Sequence, residues 1–207
     1  MFSLGLEDYT HLVRNMAQET PIILFLSPAF PSAMQVAISA INLLNPNVSH
    51  DGLDTVRVIV GHDALNTQNN QPYGAPSQLS LQEQANMPAY AAAIRQVLST
   101  EGAGQRLLQI ILTRLVTDFN EDNAPMSVTI ARLLAQSFPQ EMATWIPSAV
   151  QNLPPRTVKD TERDKFLASC SKALQEGNPN GIRSAWNQLD RACRKERERT
   201  SLASARV

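Results

Sequence analysis

Cysteine is scarce in this chain: 207 residues contain two, Cys170 and Cys193. Neither belongs to a CxxC pair or a Cys/His cluster, so no zinc site of ordinary spacing can be built from them. No basic stretch leads into an apolar core and a small-residue cleavage site near Met1. The two thiols are therefore expected to be reduced, buried residues of an intracellular protein of the cytoplasm or nucleus. Long hydrophobic runs are missing too. The most apolar local stretch, Ile22 to Leu26, is far too short to span a bilayer, so no membrane partner is expected. Aromatic residues make up only 5% of the chain. No window alternates apolar and polar residues for long enough to form a sheet. The segment from Val56 to Val60 has strand propensity, but it lies within a helix-length stripe of Leu53, Val56, Val60 and Ala64.

Net charge is close to neutral at −1, with 43% hydrophobic and 18% charged residues. These values fit a folded domain, and no global field selects a nucleic acid or a membrane surface. The charge is uneven, however. Residues 1–154 sum to −6 and residues 155–207 to +5, so the C-terminal end is basic.

What the chain has in plenty is 3.6-residue periodicity. Met142, Trp145, Ile146, Ala149, Val150 and Leu153 form one apolar stripe. Phe166, Leu167, Cys170, Ala173 and Leu174 form another, and Ile182, Ala185, Trp186, Leu189 and Cys193 a third. Leu107, Leu108, Ile111, Leu112, Leu115, Val116 and Phe119 make a broader band, which predicts a helix buried on more than one side. Punctuation is short. Pro139 suits a first helical turn, and Asn178-Pro179 supplies an N-cap and first residue after Gly177 closes the preceding helix. Asp160 or Thr161 can cap the helix carrying Phe166. Asn45-Pro46 reads as a stop, and Pro88 should kink its helix.

Helices are thus expected at 5–19, 31–44, 50–65, 80–99, 105–119, 125–138, 139–153, 161–176 and 179–197. Apart from an orphan first helix, they fall into four antiparallel pairs joined by short turns. Corresponding helices recur at about 35–50 residues, the range of HEAT and armadillo units. The expected fold is all-α, a HEAT-repeat (ARM-like) α-α superhelix over 1–199. Residues 66–79, rich in amides and proline, read as a mobile loop. The tail 200–207 is expected to be disordered. A helical bundle would give the same periodicity.

The order of features from about residue 80 onward resembles the C-terminal end of importin-β family nuclear transport receptors, in the transportin-three/importin-thirteen branch. A Gly-containing turn (EGAGQR) precedes a long apolar helix (LLQIILTRLVTDF). A Trp-bearing helix and proline break follow (EMATWIPSAVQNLPP), then a Phe-bearing helix (TERDKFLASC) and a basic terminal helix with Cys (RACRK). Earlier, PIILFLSPAFPSAMQVAISAI is similar to the family's apolar lead-in and A helix. The 66–79 loop departs from the pattern.

The resemblance implies a segment of a longer receptor that imports proteins into the nucleus by binding cargo on HEAT-repeat surfaces. The implied partners are protein cargo, Ran GTPase and nucleoporins. The family binds Ran mainly through N-terminal repeats, which have no counterpart here. Nor does the arginine-rich helix that reads phosphorylated Arg-Ser cargo. The apolar face of the first helix, with Leu12, Val13 and Met16, then awaits a preceding helix. The alternative is a generic HEAT-repeat scaffold or adaptor unrelated to transport.

No catalytic, cofactor or metal site is expected. His50-Asp51 and His62-Asp63 are adjacent pairs whose side chains diverge by about 100° on a helix; surface or capping roles suit them better than metal binding. Gly102-Ala103-Gly104 follows a helix and lacks the Lys-Ser/Thr of a phosphate loop. Trp145 and Trp186 are expected to be core residues. The candidate contact surface for an acidic partner is the basic helix, through Arg183, Arg191, Arg194, Lys195 and Arg197. Asp190, Glu196 and Glu198 interleave with it, and a solvated helix with i,i+4 pairs is the simpler account. Aromatics do not alternate with these charges, which disfavours direct single-stranded nucleic acid binding.

Overall fold

A computed structural model describes residues 2–66, 81–155 and 157–204, all of it helix, turn or connector with no strand among them. The fold is all-α. The helices are α1 (Phe2–Glu19), α2 (Pro21–Phe25), α3 (Phe30–Ile41), α4 (Pro46–Val60), α5 (Asp63–Asn66), α6 (Leu81–Arg95), α7 (Ala103–Thr117), α8 (Asn123–Ser137), α9 (Pro139–Gln151), α10 (Asp160–Gln175) and α11 (Pro179–Ser204). A π-helical segment, Gln96–Thr100, continues α6. Contacts divide the chain into two compact units, Met1–Gly104 and Gln105–Val207.

In the first unit α4 packs against both α1 and α3. The α3–α4 crossing is close because Gly52 is there. A Cβ at Gly52 would lie 2.9 Å from the Ala37 carbonyl oxygen and 3.0 Å from the Ala40 Cβ and the Ile41 nitrogen. Glycine removes the side chain that would hold the helices apart. The α1–α4 seam is partly polar. The Thr55 hydroxyl donates to the Thr10 carbonyl at 3.0 Å in a buried setting. His11 Nε2 lies 3.0 Å from Asp51, and Arg14 Nη1 lies 2.9 Å from Asp54. Burial alone would raise the Asp54 carboxyl, but hydrogen bonds from Arg57 and Arg14 outweigh it and hold its pKa below the usual value.

On its inner face α1 buries Val13 and Ala17. Leu12 remains 55% exposed, and Ile22, Ile23 and Leu26 beside it are also open, whereas Leu24 and Phe25 are buried. The short α2 is held by its aromatic end. Phe25 meets Phe30, His62 and Tyr90 at ring-centroid distances of 5.1, 4.9 and 5.7 Å.

In the second unit α8 packs against α9 and α11, and α10 packs against the same two helices, so these four close a ring. The band on α7 is buried throughout: Leu107, Leu108, Ile111, Leu112 and Leu115 are at 0% exposure. The α10–α11 turn is a complete Schellman motif. Gly177 sits at φ 60°, Asn178 N–H reaches the Ala173 carbonyl at 2.8 Å, and Gly177 N–H reaches the Leu174 carbonyl at 3.1 Å. Asn178 then caps the next helix by accepting from Gly181 N–H at 3.2 Å. A Cβ at Gly181 would meet the Ala173 Cβ at 2.6 Å, a second close approach of paired helices.

The differences from the sequence expectations are local. Asn45-Pro46 starts α4 and does not stop α3: the Asn45 side chain accepts from Asn47 N–H and Val48 N–H at 3.0 and 3.4 Å, and Pro46 is the first helical residue. The expected 50–65 helix is therefore α4 followed by the separate α5. Lys159, whose side chain makes no capping hydrogen bond, occupies the N-cap position of α10 in place of Asp160 or Thr161. Pro88 lies inside α6, and the π-helical turn comes later. Helix α11 continues to Ser204, past the expected boundary at 199. Apart from Asn66, the last residue of α5, the loop expected at 66–79 lies outside the described residues.

Candidate functional site

The histidines divide by environment. His62 takes part in the aromatic cluster, with Phe25 and Tyr90 at 4.9 and 5.9 Å, both edge-on. Its Nδ1 accepts the Ala64 N–H at 3.2 Å, which caps α5. Burial pulls its pKa below the ordinary 6.5, against the opposing pull of Asp63. The folded state thus takes up the proton less readily than the unfolded chain. His62 contributes stability that is complete above pH 6.5 and declines as pH falls toward its folded pKa. Denaturant melts at pH 7.5 and 5.5 should show this loss, and His62→Phe should reduce the difference. An unchanged difference would refute the assignment.

Both cysteines are buried and unbridged. Burial pushes Cys170 up to about 12 and Cys193 up to about 11. At neutral pH neither is a useful nucleophile, since the thiolate is the reactive form. Trp145 and Trp186 are core residues, at 6% and 0% exposure. Among the described residues no three His, Cys, Asp or Glu side chains converge to hold a metal ion. No described helix is long and apolar enough to cross a membrane.

The basic C-terminal helix separates into employed and unemployed charges. Arg194 is tied to Asp190 at 2.9 Å, one turn back on the same helix. Arg197 donates through Nη1 to the Val116 carbonyl at 2.7 Å and the Leu115 carbonyl at 3.5 Å. It places a cation at the C-terminus of α7, where carbonyls lack intrahelical partners. Two of the five expected contact residues therefore have structural employment. Arg183, Arg191 and Lys195 form no ion pair among the described residues and are exposed.

Arg191, Lys195 and Arg199 recur every four residues and make one stripe. Beside it is an open cleft of about 390 Å³ between α11 and the connector before α10. Lys159 reaches across to Glu196 at 2.8 Å, and Arg199 approaches the same carboxylate at 3.8 Å. The Lys159 hydrogen bond holds the Glu196 carboxyl below its usual pKa, and the Arg199 charge adds to this. Val158 and Cys193 supply apolar wall. Lys159 is absent from the expected contact set. A mixed acidic and basic helix end was visible in the sequence, but the 37-residue separation of Lys159 from its partner hid the cleft.

Compared with known proteins, the chain matches no protein-family model and shows no significant similarity to a curated protein sequence.

Proposed function

We propose that the chain is a C-terminal HEAT-repeat segment of an importin-β-type nuclear transport receptor of the transportin-three/importin-thirteen branch. It contributes helix surfaces for protein cargo, carries out no chemistry, and shuttles between nucleus and cytoplasm with its receptor. Ran GTPase and nucleoporins are partners of that receptor. The observation that carries the reading is the order of landmarks from residue 101 onward, each on its own element. The Gly-containing turn precedes the buried α7, Trp145 lies on α9, the Pro154-Pro155 break precedes Phe166 of α10, and Cys193 with its basic neighbours lies on α11. In this reading α3 with α4, α8 with α9 and α10 with α11 are repeat pairs.

One observation favours a generic helical scaffold or adaptor instead. In a HEAT array successive repeats stack like helix on like helix, α8 on α10 and α9 on α11. Here α8 packs on α9 and α11, which is the neighbour pattern of a four-helix bundle. Capture on immobilised phenylalanine-glycine nucleoporin repeats separates the two readings. The receptor reading expects the purified chain to be retained, and released when the repeat phenylalanines are replaced by serine. Absence of retention favours the scaffold.

A further inference from the structure

The cleft beside α11 combines a defined volume, an apolar wall and an unbalanced charge. Its volume of about 390 Å³ lies within the range of ligand pockets. Among its charged walls, Glu196 is shared by Lys159 and Arg199, and Glu162 is paired with Lys165 at 2.8 Å. Lys195 is left without a carboxylate partner among the described residues, with Arg199 one turn further along the same stripe. Arg191, one turn back, extends the positive surface away from the cleft.

We propose that this cleft seats a short acidic peptide segment of a partner protein, with a carboxylate between Lys195 and Arg199 and an apolar side chain against Val158 and Cys193. A carboxylate there gains charge-assisted hydrogen bonds from two cations one helical turn apart. Arg199 can turn to it because its contact with Glu196 is long at 3.8 Å. The two wall carboxylates, Glu162 and Glu196, repel a densely charged phosphate polymer but leave room for a peptide whose charges are spaced by apolar residues. Among the described residues no aromatic ring lines the cleft on which a base could stack. The proposal rests on the protein-binding reading above only for the class of occupant.

The test is fluorescence anisotropy of the whole chain with a fluorescein-labelled peptide of about ten residues, alternating glutamates around a central leucine. Binding should weaken with salt, as screened ion pairs require. Lys195→Glu combined with Arg199→Glu should weaken it by about tenfold or more, as reversal of rim charges does. Arg183→Glu, also exposed and on the same helix but outside the cleft lining, should change it by less than about twofold. Amide shifts on titration should concentrate at Val158, Lys159 and Cys193. No binding at millimolar peptide, equal loss in Arg183→Glu, or amide shifts spread over the surface would overturn the cleft. So would tighter binding of oligouridine or of phosphatidylserine vesicles than of the peptide. Retention on phenylalanine-glycine repeats with an empty cleft would overturn the cleft alone, while peptide binding without retention would count against the receptor reading and leave the cleft intact.

Discussion

Trp186→Ala is expected to destabilise the protein by about 3–5 kcal/mol, the usual cost of truncating a large aromatic in a packed core. Trp186 is at 0% exposure on α11 and meets the Phe166 ring of α10 edge-on at 4.9 Å. The indole therefore fastens the two helices of the last pair to each other. Its Nε1 is buried and finds no acceptor among the described residues. An unpaired buried N–H carries a cost of its own, so Trp186→Phe should be far milder, losing area but also removing the unsatisfied donor. Denaturant unfolding of the two variants measures both effects. A loss below about 1 kcal/mol for Trp186→Ala would mean that the ring is not tightly packed.

The second large effect has the opposite sign from the one helix propensity suggests. Within an ordinary helix, Gly→Ala stabilises by up to about 1 kcal/mol. Gly52→Ala should instead destabilise by about 1–3 kcal/mol, because the new methyl meets α3 and the helices must part. Two of the three atoms it would meet, at 2.9 and 3.0 Å, are backbone and cannot rotate away. Substituting Ala40 by glycine should therefore rescue little, since it removes only the side-chain contact. A Gly52→Ala variant more stable than the parent would show that α3 and α4 do not approach this closely.

Where helices lie was largely legible in the sequence, because apolar stripes at 3.6-residue spacing were interrupted by prolines and glycines with defined roles. The Asn178-Pro179 start and the Gly177 stop were read correctly from their chemistry. The same dipeptide at 45–46 was misread because it follows an apolar stripe directly, and one Asn-Pro signal serves both to end a helix and to cap the next. The five-residue α2 could not be recognised, since its stability comes from Phe25 docking on rings distant in sequence. Gly52 carries no signal of its own in the sequence, and only the facing helix turns it into a contact. The candidate surface was legible at the level of composition. Which cations remained available was not, because Arg197 is engaged by carbonyls 81 and 82 residues away and Lys159 enters from a connector.

The division of packing at Gly104 also bears on how the chain acquires its structure. The first unit pairs α1 with α4, α3 with α4, and α2 with α6, and all of these contacts close within its own residues. Helical chains with such local connectivity sit at the fast end of folding rates, because little loop entropy is lost before a contact forms. Synthesis proceeds at about 5–20 residues per second, which is slow against helix formation and docking. The first unit can therefore condense on the ribosome while α10 and α11 are still untranslated. Proteins made in this order expose one incomplete core at a time, which limits the apolar surface available for aggregation during biogenesis.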